Sequence, residues 1–207
     1  SSQFGSRQAR AQRRTDQPAF PGAPCIVKMP RDRSRSPVRG DMKDAEVYLK
    51  ACGLPAGLPE LSMRFGRAGI HGQASQFKKA SDRFLQKKPE FSWDSKLGTC
   101  TLVYIDPDAP NREGDGSRAG TLGPWLHWLV SECEGGKPTS GKEHVSHMGP
   151  APPHGKHRYI AVLFTQDGGV KLPSGVERKK WDFAGFVKAN EGKLKPAAVN
   201  FFYCSAD

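Results

Sequence analysis

From Leu61 onward no apolar run goes far before Gly, Pro or Asp interrupts it, a texture that restricts the chain to short strands. Strands are expected at 60–65, 90–93, 99–105, 125–132, 157–165 and 198–204. Alternate residues of a strand share a face. In the 125–130 run this sets Trp125, His127 and Leu129 against Leu126, Trp128 and Val130. In 157–164 it sets His157, Tyr159, Ala161 and Leu163 against Arg158, Ile160, Val162 and Phe164. Both runs are apolar on both faces away from their ends, so their sheet must be covered on two sides. A helix is expected at 41–52, capped by Asp41, with Val47 and Leu49 to Ala51 apolar and Gly53 and Pro55 as its stop. A second is expected at 179–190, where Trp181, Phe183, Phe186 and Val187 recur. The fold class is therefore mostly β with a few short helices.

Charge divides the chain in two. Residues 1–40 carry nine Lys/Arg against two Asp, a net of +7, whereas residues 41–207 hold 23 Lys/Arg and 19 Asp/Glu, a net of +4. The first segment has few large apolar residues and cannot bury enough surface to offset its chain entropy, so it is expected to be a disordered basic Arg/Ser/Pro-rich tail. The second is of one-domain size. Within the tail, Arg31-Asp-Arg-Ser-Arg-Ser-Pro37 reads either as a solvated linker or as a phosphorylatable contact for RNA or protein. A transit peptide is a third reading, opposed by the two aspartates and five prolines. Five cysteines without a C-x-x-C pair or metal-ligand spacing suit a reducing compartment, and a cytoplasmic location is expected. No apolar segment approaches the ~18–20 residues that span a bilayer.

The chemistry is concentrated between Leu102 and Gln166. Asp106-Pro-Asp-Ala-Pro110 ends the apolar run Leu102-Val-Tyr-Ile105, and its two prolines make a rigid corner with two fewer backbone donors. Asp106 at that strand end needs a donor or cation to be tolerated there; alone it could be a turn cap. His127 lies inside a strand, and His157 opens another after the Pro/Gly corner 149–155. An imidazole held at one nitrogen by a carboxylate or carbonyl can present the other to an anionic phosphate or sulfate. Asp106 or Asp108 would orient the ring, accept a phosphate proton or pair with a ligand ammonium. A divalent metal is the competing reading, although no H-x-H or H-x-x-x-H pair supports it. Catalytic motifs such as G-x-S-x-G, H-E-x-x-H or a Walker loop do not occur, and no enzymatic activity or cofactor is expected.

With these residues in place the chain resembles the phosphatidylethanolamine-binding protein family, which includes the Raf kinase inhibitor proteins and the plant flowering-time regulators. The resemblance rests on Phe91-Ser-Trp-Asp94, Leu102 to Pro110, Leu126-His-Trp-Leu-Val130, Gly149-Pro-Ala-Pro-Pro153, Gly155-Lys-His-Arg-Tyr159 and Val162 to Gln166, in that order, over roughly residues 58–204. It implies an antiparallel Greek-key β-sandwich with a small anion pocket at one end. Carried over residue by residue, the pocket comprises Asp106, Asp108, His127, Pro153, His157 and Tyr159. It implies a monomeric regulatory binding module that takes a phosphorylated small molecule or phospholipid head group and modulates a protein such as a kinase or protease. The alternative is a ribonucleoprotein-associated protein binding RNA through its basic tail.

Three departures from the family pattern bear on the pocket. The polar loop 111–122 is long, which alters access. Gly123-Pro124 stands where family members have a cis peptide; proline lowers the cost of that form from roughly 3–4 kcal/mol to about 0.5–1 kcal/mol, so a cis Gly123–Pro124 bond is expected. Finally, the chain stops at Asp207, short of the C-terminal helix of animal members, which implies an open pocket of the plant and bacterial kind.

Overall fold

The computed structural model describes residues 41–172 and 175–206. The expected tail, 1–40, lies outside them. The described chain runs α1 (Lys43–Ala51), β1 (Ser62–Phe65), β2 (Ala68–Gly69), β3 (Gln76–Lys78), β4 (Glu90–Ser92), β5 (Cys100–Asp106), β6 (Trp125–Cys133), β7 (Lys142–Val145), β8 (Lys156–Gln166), α2 (Phe183–Ala189) and β9 (Leu194–Ser205), with short 3-10 turns between. It is mostly β with two α-helices, as expected. Three strands were not anticipated. β2 and β3 have two and three residues, and β7 (KEHV) is too polar to register as an apolar run.

Six strands form one sheet in the order β3-β9-β8-β5-β6-β7, and β2-β1-β4 form a second. The large sheet is not purely antiparallel: β3 runs parallel to β9. The long β8–β9 ladder, from Lys156↔Ser205 to Gln166↔Leu194, forms its spine.

Two apolar layers cover the large sheet, which is the two-sided burial that β6 and β8 demanded. On one face Val103, Ile105, Ile160, Val162 and Phe201 pack with Tyr48 and Leu49 of α1 and Phe183 and Phe186 of α2. On the other, Leu102, Tyr104, Tyr159 and Phe202 pack with Met63 and Phe65 of β1 and Phe91 of β4. The α1 face is built from Ala45, Tyr48 and Leu49, while Ala51 is exposed. The helix starts one residue later than expected, with the Asp41 carboxylate still accepting from the Lys43 amide at 3.0 Å. α2 is shorter than 179–190 because Asp182 caps it, accepting from the Gly185 amide at 2.8 Å.

Alternation holds along β8 and fails along β6. Tyr104 pairs with Trp128 but Ile105 pairs with Leu126, so His127 is an extra residue in β6 and the strand bulges there. Leu126 and Leu129 consequently share the helix-side layer, with Trp128 and Val130 on the other. The expected grouping of Trp125, His127 and Leu129 is corrected by this bulge. His127 and Trp128 both face Tyr104 and Tyr159.

Asn200, fully buried in β9, ties the two sheets together. Its side-chain amide donates to the Leu61 and Ile70 carbonyls at 2.7 and 2.9 Å, and its oxygen accepts from Gly72 and Phe201 amides at 3.1 and 2.8 Å. An Asn200→Ala change strands these backbone groups, so a loss of about 2–4 kcal/mol in urea unfolding is expected. A midpoint equal to wild type would remove Asn200 as the tie.

Candidate functional site

β5 ends where its apolar run meets the Asp106–Pro110 corner, and the neighbouring strand β8 begins there. Asp106 is 3% exposed and has both carboxylate oxygens engaged. Oδ1 accepts from the Asp108 amide at 2.8 Å, closing the turn, and Oδ2 meets His157 Nδ1 at 2.7 Å. The other nitrogen of His157 lies 3.1 Å from the Pro110 carbonyl oxygen. The Pro110 carbonyl accepts from Nε2, and one further proton lies between Nδ1 and Asp106, so the two groups form a pair without net charge. Burial pushes the His157 imidazole down, but the hydrogen bond and charge of Asp106 outweigh it and hold the ring above its ordinary value. Burial pushes the Asp106 carboxyl up, with His157 pulling against it.

Asp108 points to the opposite face. Its carboxylate takes the guanidinium of fully buried Arg158 through Nε at 2.9 Å and Nη2 at 2.6 Å, and the Arg158 amide at 2.8 Å. Arg158 also donates to the carbonyls of Asp44 and Gly116, each at 2.8 Å. Asp108 therefore fastens β5 to β8 and to α1 and does not orient a histidine. Nearby, Arg112 forms a two-pronged pair with Asp44 at 2.6 and 2.5 Å, and the Tyr203 hydroxyl donates to the same carboxylate. The 111–122 loop is pinned rather than free: Gly120 and Leu122 donate to the Pro107 and Ala109 carbonyls at 2.8 and 3.0 Å. A Cβ at Gly123 would collide with the Pro107 carbonyl, so only glycine lets the loop return this close. The Gly123–Pro124 bond is cis, as expected, and so is Ala109–Pro110.

Between this corner, β6 and the Gly149–Pro153 turn lies a cavity of about 280 Å³. Asp106, His127, Pro153 and Tyr159 line it, together with Trp125 and Met148. Of the six residues singled out in the sequence, four meet at this cavity. His157 sits behind Asp106, and Asp108 lies outside. Trp125 and Met148 gave no separate signal, since neither carries a group that sequence reading associates with anions. Met148 nevertheless decides the state of His127: its carbonyl lies 2.8 Å from Nδ1, so Nδ1 donates and Nε2 is the ring's acceptor. Burial holds His127 down to about 3 against the upward pull of that hydrogen bond, with the charges of Arg178 and His157 adding smaller downward pushes, and the ring is neutral at pH 7. The cavity thus combines a neutral imidazole, a buried ion pair and mostly apolar walls. Among the described residues no three His, Cys, Asp or Glu side chains converge as a metal set, and no helix is long and apolar enough to cross a membrane.

Two measurements probe these assignments. Asp108→Asn leaves the buried Arg158 charge without its partner, and a loss of about 3–5 kcal/mol is expected in denaturant unfolding; a loss below about 1 kcal/mol would contradict the clamp. For His127, the folded value lies below the unfolded one of about 6.5, so its contribution to stability is present above pH 6.5 and is lost on acidification. His157, whose value is raised, acts in the opposite sense. The stability difference between wild type and His127→Gln should therefore fall by about 1.4 kcal/mol per pH unit between roughly pH 6 and 4. A flat difference would mean that His127 is not held neutral.

Comparison with known proteins bears on the family and the fold. The phosphatidylethanolamine-binding protein family model matches residues 60–202. Protein MOTHER of FT and TFL1 homolog 2 of Oryza sativa subsp. japonica is 36% identical over 107 residues, covering 49% of this chain and 58% of that protein. The chain thus spans little more than half the length of that curated relative. Among solved structures, the carboxypeptidase Y inhibitor complexed with its cognate proteinase superposes with a TM-score of 0.60 at 20% identity, covering 80% of this chain and 96% of that one. The phosphatidylethanolamine-binding protein from Plasmodium vivax gives 0.58 at 17% identity, covering 81% and 99%. At these identities the structures share the fold.

Proposed function

The chain belongs to the phosphatidylethanolamine-binding protein family, and from that premise we propose that it is a non-enzymatic regulatory binding module whose cavity takes a small phosphorylated head group. The observation that carries this reading is the meeting of Asp106, His127, Pro153 and Tyr159 at one cavity of about 280 Å³. Each part has a task in it. His127 Nε2 accepts from a protonated phosphate oxygen or an ammonium of the ligand. The Asp106–His157 pair fixes the wall behind it without adding net charge. Trp125, Met148 and Pro153 cover the carbons of the head group. Among the described residues lining the cavity there is no Ser, Thr, Cys or Lys, which supports reading it as a holding site.

The partner is proposed to be a protein, a kinase or a protease, with head-group occupancy modulating the contact. The name of one structural neighbour, a carboxypeptidase Y inhibitor with its proteinase, supports a protease as the class to try first. A cytoplasmic setting fits the free thiols of Cys52, Cys100 and Cys133.

Titration with phosphoethanolamine, followed by NMR at the histidine rings, tests the cavity. Shifts are expected at His127 and His157, and His127→Ala should weaken binding about tenfold, the worth of one hydrogen bond to a charged group. No shift at either ring, with His127→Ala behaving as wild type, would remove the cavity as the ligand site.

A further inference from the structure

Behind His127 runs a segment outside the motifs on which the resemblance was read. Between Arg178 and Trp181 the chain lies along the Leu122–Leu126 edge of the cavity. The Leu126 amide donates to the Arg178 carbonyl at 2.8 Å, and the amides of Lys180 and Trp181 donate to Leu122 and Pro124 at 3.1 and 2.9 Å. From this strap the Arg178 side chain reaches across to two separate edges of the cavity. Nη1 donates to the Leu126 and His127 carbonyls at 3.0 and 3.2 Å, and Nη2 donates to the carbonyl and hydroxyl of Ser146 at 2.8 and 3.1 Å. The same two edges meet through His127 itself, whose carbonyl accepts from the Met148 amide at 2.9 Å and whose Nδ1 donates to the Met148 carbonyl at 2.8 Å.

The charge of Arg178 is answered by carbonyls. The acid that acts on it through space, Glu143, is itself paired with Lys88 at 2.7 Å. The groups around His127 are Tyr104 and Asp106 from β5, Tyr159 and His157 from β8, His147 from the segment before Met148, and Arg178 from the strap. His147 is neutral, held down to about 4 by burial and by the charges of Lys88 and Arg178. Asp106 neutralises His157. Among the described residues, Arg178 is therefore a cation next to His127 whose guanidinium is held by carbonyls and a hydroxyl rather than by a carboxylate.

We infer that Arg178 is the positioning and specificity-determining residue of the cavity. Its guanidinium ties the His127 edge to the Ser146–Met148 edge, and its charge adds to the burial that keeps His127 a neutral acceptor. The site then selects ligands that bring a hydrogen-bond donor, an ammonium or a protonated phosphate oxygen, over fully ionised phosphate. The ligand half of this inference rests on the cavity reading above; the half concerning His127 does not.

The two roles separate in two variants of the full chain, each checked for wild-type near-UV circular dichroism. Arg178→Gln removes the charge and keeps donors, so the His127 ring should titrate at least ~0.5 unit higher without ligand. Arg178→Lys keeps the charge and loses the fork, so His127 should titrate as in wild type while the Met148 amide exchanges about tenfold faster. With methyl phosphate as probe, whose dianion carries no P–OH, wild-type affinity should rise as pH falls from 8 to 6 and the monoanion forms, and both variants should bind more weakly at every pH because the His127 edge is no longer held. Wild-type protein that binds no methyl phosphate defeats the cavity reading and leaves the ring titration and amide exchange to judge Arg178. If both variants titrate and exchange as wild type, Arg178 has no positioning role.

Discussion

Successive residues of a strand point to opposite faces of its sheet, and at the start of β8 those residues are a histidine and an arginine, both fully buried. The Asp106–Pro110 corner answers both. Asp106 holds His157 on the cavity face and Asp108 holds Arg158 on the helix face, at 2.7 and 2.6 Å. The two prolines stiffen the turn that lets two carboxylates, two residues apart, straddle the sheet edge. The cavity wall, the seat of α1 and the path of the 111–122 loop all follow from this grip.

Burying two ion pairs side by side is costly unless each remaining donor and acceptor finds a partner. The surroundings meet that condition. Arg158 spends its guanidinium on the Asp108 carboxylate and on the carbonyls of Asp44 and Gly116. His157 spends its second nitrogen on Pro110. The turn at Asp108 and the glycines of the loop exist to bring those carbonyls within reach, so the loop that looks like a flexible insertion is part of the solvation of Arg158. One consequence concerns ligand chemistry. Because the ion pair behind the cavity is internally neutral and His127 carries no proton at Nε2, the cavity offers shape, orientation and one acceptor rather than a concentration of positive charge.

The strand pattern of β5 and β8 was legible because these strands are buried on both faces along most of their length and keep strict alternation, as does β9 from Ala198 onward, and burial on both sides of the sheet followed from the same residues. The pairing of Asp106 with a histidine was legible as a need, since a carboxylate at a strand end requires a partner. Which aspartate served was not: Asp106 and Asp108 are equivalent in composition and differ only in the face to which the corner turns them. β2, β3 and β7 escaped notice because their hydrogen bonds come from neighbours, while their side chains carry little apolar pattern.

By itself the sequence determined that the chain is mostly β, that its sheet is covered on two sides, and that a rigid Asp–Pro corner ends one strand; the resemblance to a known family implied that this corner and two histidines meet at one end of the sheet. The first three properties reside in hydrophobic period and in proline, both local. The tertiary structure alone decided that His127 sits on a bulge, shares a face with Trp128, donates from Nδ1 to the Met148 carbonyl and lies beside Arg178, whose guanidinium is held by carbonyls. A bulge is a mismatch between two strands, and the protonation of a buried ring is set by whatever charges and carbonyls surround it. Neither is encoded in the order of residues along a single strand, so both emerge only when distant segments meet.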